Sequence, residues 1–332
     1  MVVMLELEKI SCMTKTMASE LRKNGVTSVE SLAIRSISEL KEWIDRAWIL
    51  NVELSELKKA LEEAWRLTGF WFMTGDKIEE VRGKKLVFTS GSKAVDEMLG
   101  GGIFSRELTE FAGDYGTGKT EFLFTILVEA LGSNKDMTAI FVDTEDTFSD
   151  IRVKEIAKNR GYDPEDIMKR VIYIPVTDSD FLTEVVDRFH ITIEAKNVKL
   201  ILIDSLMAVL RAEYVGREVL WYRQQLLNRM IRRLLNLAKV YNIAIVGSNQ
   251  VVTNPQAQFT YDPIQQKVPT GGTVLGHNAN TRLYLRKAKG SKRIVRLFDS
   301  NWRPEGEATV KIGPKGIEDV TKEEKEEAEE VA

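Results

Sequence analysis

The spacing of hydrophobic positions changes along the chain. Over 14–24, 36–46 and 52–66 apolar side chains recur every three or four residues, as in Leu54, Leu57, Leu61 and Trp65. That period predicts three amphipathic helices. Asn24-Gly25 and Thr27-Ser28 punctuate the first break. Ser36 with Glu39 three residues on predicts a capping box for the second helix. Residues 67–89 lose the period and read as a linker holding the apolar cluster Phe70-Trp71-Phe72-Met73, then Thr74-Gly75. From residue 90 apolar runs at 107–112, 138–143, 171–176, 199–204, 243–248, 281–286 and 293–298 alternate with helical stretches, the latter after residue 119 and near 150–160, 179–196 and 217–240. Strands alternating with helices predict an α/β core, a mainly parallel sheet covered on both faces. The helix at 217–240 has Leu220, Leu227, Ile231, Leu234, Ala238 and Tyr241 on one stripe; Arg229, Arg232 and Arg233 fall off it, on an expected solvated face. Residues 251–275 hold Pro255, Pro263, Pro269 and Gly271-Gly272 without a period, and read as a long functional loop. The pattern divides the chain into an all-α module (1–66), a linker (67–89), the α/β core (90–320) and an acidic, solvated tail (321–332).

Composition narrows the function classes. The chain has 332 residues, 43% hydrophobic and 29% charged, an ordinary globular mix with room for a sizeable core. No run approaches the ~18 apolar residues of a membrane span, so no membrane partner is expected. Early Glu6, Glu8 and Lys9 do not make a signal-peptide pattern. Cys12 is the single cysteine, which leaves no internal disulfide and fits a reducing, cytoplasmic compartment. With a net charge of −3, any polyanion must meet a local basic patch.

The chemistry centres on Gly113-Asp114-Tyr115-Gly116-Thr117-Gly118-Lys119-Thr120. It fits the phosphate-loop pattern, a strand feeding a glycine-rich turn whose N–H groups, with the next helix's N-terminus, cradle phosphates. Lys119 would reach the β- and γ-phosphates of ATP, and Thr120 would offer its hydroxyl to Mg²⁺. Glu121 follows in the same nucleotide-binding set. The run Lys199–Asp204 delivers a carboxylate to that metal at Asp204. The run Ala139–Asp143 leads to Glu145, a candidate base for the attacking water; the alternative is a cap for the helix near 149. Gln250 ends a third run, as a sensor of the γ-phosphate or as a capping amide. Arg211, Arg217 and Arg223 surround Tyr214-Val215-Gly216, a basic turn that either touches a phosphate backbone or pairs with carboxylates. Lys287, Lys289, Lys292, Arg293 and Arg296 carry the same two readings. Phe72 either anchors in a neighbouring subunit or packs on its own domain.

Several ordered motifs carry a resemblance. They are Thr89-Ser90-Gly91-Ser92-Lys93-Ala94-Val95-Asp96, Gly100-Gly101-Gly102-Ile103, the phosphate loop, Asp143-Thr144-Glu145, Arg211-Ala212-Glu213-Tyr214, Arg223-Gln224-Gln225, Asn249-Gln250-Val251, Tyr284-Leu285-Arg286-Lys287 and Pro304-Glu305-Gly306-Glu307-Ala308. From about residue 70 to 320 the chain resembles RecA-type recombinases of the archaeal RadA and eukaryotic branch, and its first residues resemble that family's helix-hairpin-helix module. The resemblance implies a RecA-like ATPase core that forms filaments or rings, with ATP between protomers, on single-stranded DNA for homologous pairing, with duplex DNA and other recombination proteins as further partners. It implies that Arg152 stacks on adenine and that Arg217 and Arg223 belong to a first DNA loop. A second loop is implied at 251–270, including Lys267. His277, Asp299 and Pro304 would approach a neighbour's ATP, Asp299 with a monovalent cation such as K⁺. Phe72 to Gly75 would be the polymerisation motif.

This chain departs from that pattern in places. Ile10–Thr16 lacks the hairpin's glycines, Gly75 replaces Ala, Asp146 replaces Gly beside Glu145, and Asn301-Trp302-Arg303 replaces an apolar stretch. Gln265-Gln266-Lys267 lengthens the second loop. Two readings follow: a DNA-dependent ATPase acting as a recombinase, or a paralogue that binds ATP and DNA and assists another recombinase. A hexameric helicase-type motor is disfavoured by the hairpin module and the Phe72 linker.

Overall fold

The computed structural model describes residues 4–254 and 266–321. Its first part is helical: α1 (Lys15–Lys23), α2 (Val29–Ala33), α3 (Ile37–Asp45) and α4 (Leu54–Leu67). Side-chain oxygens of Thr14, Ser28 and Ser36 cap the first three helices by accepting from the N–H three residues on, each satisfying an otherwise orphaned donor. Leu7, Leu21, Leu32, Leu57 and Leu61 close a core made only of residues from this part.

The second part is α/β. Its strands are β1 (Val87–Phe88), β2 (Ile103–Phe104), β3 (Leu108–Gly113), β4 (Thr138–Asp143), β5 (Val171–Pro175), β6 (Val198–Asp204), β7 (Ala244–Thr253), β8 (Lys267–Pro269), β9 (Thr281–Lys287), β10 (Lys292–Ser300), β11 (Gly306–Gly313) and β12 (Gly316–Asp319). Its helices are α5 (Ile78–Arg82), α6 (Lys93–Leu99), α7 (Lys119–Ser133), α8 (Asp150–Asn159), α9 (Pro164–Lys169), α10 (Ser179–Lys196), α11 (Ala208–Glu213), α12 (Leu220–Tyr241) and Gly272–Asn278, here α13. The large sheet runs β12-β11-β10-β9-β3-β7-β6-β4-β5. From β9 to β5 every neighbour is parallel, and β10 to β12 add an antiparallel meander.

Alternation along the buried strands assigns side chains to the two faces. Ala139, Phe141, Leu200 and Leu202 point into the layer with α7 and α8. Ile140, Val142, Ile201 and Ile203 point into the layer with α10 and α12. Both faces are covered, so β3 and β6 are buried at every residue, as a parallel sheet requires. The register pairs Gly113 with Gln250 and Asp143 with Asp204. Four strands therefore end together at one edge, where ligands bind in such sheets.

The helical part rests on α10 and α12. Thr27 and Ser28 hydroxyls donate to Glu194, each at 2.5 Å. His190 Nε2 lies 2.9 Å from an Arg35 nitrogen and 3.0 Å from the Gly25 carbonyl. Arg233 pairs with Asp187 at 2.9 Å and with Glu39 at 3.6 Å.

Several expectations are corrected. Arg233 is no solvated cation, because carboxylates of α10 and α3 bracket it. The box at Ser36 is half formed: Ser36 accepts from Glu39 N–H, but the Glu39 carboxylate is drawn to Arg35 at 2.8 Å. The linker holds α5 and β1. Of the expected loop 251–275, the described part contains the end of β7, strand β8 pairing antiparallel with it, and α13; 255–265 lie outside the described residues. So do 322–332 of the acidic tail.

Candidate functional site

The phosphate loop runs from the last residue of β3 to the second residue of α7. Gly118 takes φ +99°, a left-handed turn that favours glycine, and a Cβ there would meet Ile312 at 2.8 Å. The Lys119 ammonium donates to the carbonyls of Gly113 and Asp114 at 2.9 and 2.8 Å. Burial pushes its pKa down, opposed by Asp204, Glu145 and Asp114. Those carboxylates hold the cation against its desolvation.

Three hydroxyls converge on Asp204. Thr120 and Thr147 donate to Oδ2 at 2.6 and 2.9 Å, and Ser248 donates to Oδ1. Hydroxyl and carboxylate oxygens suit a hard divalent cation, and Mg²⁺ takes one or two protein ligands plus substrate phosphates. The Thr120–Asp204 pair fits that ion. Asp143 instead shapes the turn beyond β4, accepting the N–H groups of Glu145, Thr147 and Phe148 at 3.2, 3.1 and 2.9 Å. The turn leaves Glu145 facing Ser205, whose hydroxyl donates to it at 2.6 Å. Gln250 Nε2 donates to the same carboxylate at 3.1 Å. Helix α8 is capped by Ser149, so Glu145 does not serve as its cap. Nor does Gln250 cap a helix among the described residues: its Oε1 accepts from Arg211 at 3.3 Å.

Two clefts meet at this edge. One, about 390 Å³, is lined by Tyr115, Gly116, Lys119, Thr120, Glu145, Asp204 and Gln250 among others. The second, about 470 Å³, shares Glu145 and Gln250 and extends to Ser205 and Arg211. Chemically, the first can hold a polyphosphate and a metal beside a carboxylate, and the second leads to a basic turn.

The other expected site residues spread around this centre. Arg152 is clamped by Glu121 at 2.9 Å, Glu155 at 2.8 Å and the Gly313 carbonyl at 2.7 Å, so its guanidinium plane is fixed. Thr117 Oγ1 donates to the Asp114 carbonyl within the loop. Lys267 lies at the start of β8 and pairs with Asp114 at 2.8 Å, so an expected DNA contact touches the phosphate loop. His277 and Pro304 are exposed. Asp299 lies 3.7 Å from Arg282. None of these three lines this chain's own cleft. Phe72 is 90% exposed and meets Trp71 edge to face at 5.3 Å, while Trp71 stacks back on Trp65 at 6.1 Å. Gly75 has open space where a Cβ would stand. Among the described residues, Arg211, Arg217 and Arg223 have no carboxylate partner, and Arg223 donates to the Tyr214 carbonyl at 3.0 Å. In the second basic cluster, Arg296 pairs with Glu305 at 2.9 Å, and Arg293 reaches the Gly116 carbonyl at 3.4 Å.

Sequence reasoning missed a buried network under the site. Glu110 is fully buried in β3 and accepts from Arg282 and Asn249, both at 2.6 Å. Asn249 also accepts from the Thr270 hydroxyl at 2.5 Å, tying the end of the 251–270 segment to the sheet. The signal was a glutamate inside a strand buried at every residue, where a carboxylate needs hydrogen-bonding or charged partners. Ser205 and Thr147 gave no signal, because single hydroxyls are too common.

Comparison with known proteins follows the same lines. The Rad51 family model matches residues 81–320. The chain belongs to the Rad51 family. It is also 36% identical over 310 residues, 92% of this chain and 93% of the relative, to the DNA repair and recombination protein RadA of Aeropyrum pernix. The Rad51-type match takes in the phosphate loop, Glu145, Asp204, Gln250 and the basic turn, and the similarity to RadA spans most of both chains. Among the described residues, no helix is long and apolar enough to cross a membrane.

Proposed function

We propose that this Rad51 family member is a DNA-dependent ATPase working as a recombinase. It binds ATP with Mg²⁺, assembles head to tail on single-stranded DNA in the cytoplasm, and pairs that strand with homologous duplex. One observation carries the reading. A continuous polar path leads from Thr120 and Asp204, through adjoining Ser205, to Glu145, Gln250 and Arg211. The hydrolytic carboxylate is thus two contacts from a turn whose three arginines have no carboxylate partners among the described residues. Phosphate-binding loop and phosphate-binding turn are joined by one glutamine.

The chain's residues divide the work. Loop N–H groups and the α7 N-terminus bind the β- and γ-phosphates, and Lys119 exchanges its carbonyl partners for phosphate oxygens. Thr120 and Asp204 would hold Mg²⁺, which would neutralise phosphate charge when bound. Glu145 takes a proton from the water attacking the γ-phosphorus as the bond to the β–γ bridging oxygen breaks and ADP leaves. Ser205 and Gln250 orient that carboxylate. Arg152 offers its clamped plane to adenine. His277, Asp299 with K⁺, and Pro304 serve a neighbour's ATP, and Phe72 anchors the neighbour. Residues 1–66 form a helix-hairpin-helix-like module, 67–89 the polymerising linker, 90–320 the ATPase core and 321–332 a solvated tail.

Strand exchange between single-stranded DNA and homologous duplex, with ATP, tests the proposal. Joint molecules that form with ATP, and vanish without it or in Lys119→Ala, are expected. ATP hydrolysis without pairing, together with stimulation of another recombinase, would replace it with the assisting-paralogue reading. The named relative, a recombination protein, and the intact Glu145 contacts favour the first.

A further inference from the structure

The basic turn carries more aromatic surface than phosphate binding needs. Tyr214 is partly buried against the α10–α12 core, its hydroxyl 3.4 Å from Ser179 Oγ. The Tyr222 ring meets it edge to face, centroids 5.2 Å apart. Trp221 meets Tyr222 in turn at 5.8 Å and 76°. The series runs outward from a fixed ring to Trp221, which is 63% exposed. Both outer rings sit on the first turn of α12, so the helix holds them in place. Leaving an indole in water is unfavourable, and a clustered aromatic patch marks a contact surface.

Charge identifies the occupant. Arg211, Arg217 and Arg223 flank the rings along the chain, without carboxylate partners among the described residues; Arg223 donates to the Tyr214 carbonyl at 3.0 Å, and its Nε is enclosed with no acceptor among the described residues. Glu213 is engaged with Ser179. Glu218 folds back over Gly216, where a Cβ would lie 2.3 Å from its carboxylate oxygen. Cations on the same turn as exposed rings match a chain of phosphates carrying unstacked bases.

We propose that Trp221, backed by Tyr222 and Tyr214, is a stacking platform for unpaired bases of single-stranded DNA. The proposal rests on the DNA reading above and deepens it. Arginines bind phosphates whether or not the bases are paired. A ring takes only a base that has left its stack. The platform therefore supplies a preference for single strands that the arginines cannot.

The test uses the full chain with ATP and a fluorescent oligo-dT, read by anisotropy over a range of salt. Trp221→Ala should weaken single-strand binding by about tenfold or more, as for a lost base stack, with the salt slope and duplex affinity unchanged. Trp221→Phe should restore most of the affinity. Arg217→Ala should weaken binding with a salt slope shallower by about one. If Arg217→Ala weakens binding and Trp221→Ala does not, the platform is refuted and the DNA reading stands. If the wild-type chain binds no single strand, both fall. If Trp221→Ala changes sedimentation and lowers single-strand and duplex binding alike, the patch is an interface between copies, and the platform is refuted.

Discussion

Glu145→Gln separates catalysis from binding, and the structure gives its expected size. In the wild type Glu145 Oε1 accepts from Ser205 at 2.6 Å and from Gln250 at 3.1 Å. A glutamine keeps an acceptor at Oε1 and hence both contacts. It places an amide nitrogen where Oε2 accepts the longer 3.3 Å bond from Gln250. One weak bond is lost, about 1 kcal/mol, so fold and ATP affinity should stay within a few-fold. The amide cannot take the water's proton, which should cost roughly 10²- to 10⁴-fold in turnover. Fluorescent-nucleotide titration and single-turnover hydrolysis on one preparation measure both quantities. Asp146, exposed at φ 56°, is the internal control, since Asp146→Gly should keep turnover. A Glu145→Gln enzyme with affinity reduced about tenfold and normal turnover per bound ATP would make Glu145 structural and refute the reasoning. Loss of turnover in Asp146→Gly instead would move the base one residue along.

Lys119→Ala should abolish hydrolysis and weaken ATP binding, because the cation on the β- and γ-phosphates is gone; turnover at the wild-type rate would sink the site. Phe72→Glu should lower oligomer size and ATPase rate together in sedimentation and hydrolysis assays. Phe72 is nearly fully exposed, so monomer stability should change by no more than ~0.5 kcal/mol; a large, fully active assembly would refute the anchor. Lys199 is buried, donates only to the Tyr241 carbonyl at 3.0 Å, and burial lowers its pKa from 10.5 to about 8. Below pH 8 it is charged in both states and the fold bears the full desolvation cost; between pH 8 and 10.5 the unfolded chain binds more protons, so stability rises with pH. Lys199→Met should therefore raise the melting temperature at pH 7, with a gain that shrinks toward pH 10.5; a gain independent of pH would put the effect in packing alone.

The candidate nucleotide site was legible because its parts are local in sequence. A phosphate loop is eight consecutive residues, and Asp204 and Glu145 each follow an apolar run that names its own strand. Strand adjacency places those ends together without long-range knowledge. The docking of the helical part was not legible. Thr27, Ser28 and Arg35 look like ordinary loop residues, and Glu194 and His190 like solvated positions on α10, until the two surfaces meet. Short elements such as β8 and α13 were hidden for another reason. Three- and seven-residue segments are too brief to show a period, and Pro269 and Gly271 read as loop signals although one ends a strand and the other precedes a helix.

The contacts between the proposed ATP site and the proposed DNA turns also bound how strongly the two can communicate. Lys267 and Asp114 join the second segment to the phosphate loop, yet their side chains are 44% and 47% exposed. A pair that open to solvent contributes less than ~1 kcal/mol. Coupling is reciprocal: any factor by which ATP tightens DNA binding is the factor by which DNA tightens ATP binding. Through this pair alone that factor stays below about fivefold, since about 1.4 kcal/mol is tenfold. The Asn249–Thr270–Glu110 network is buried and holds the end of the segment fixed, so it offers rigidity rather than a switch. Among the described residues, a second path runs through Gln250, which touches Glu145 on one side and Arg211 on the other. Measured on ATP and DNA affinities together, Lys267→Ala should leave a large coupling nearly intact, and Gln250→Ala should collapse it in both directions by the same factor. Unequal losses in the two directions at equilibrium would violate linkage and point to a change of assembly state rather than a cut path.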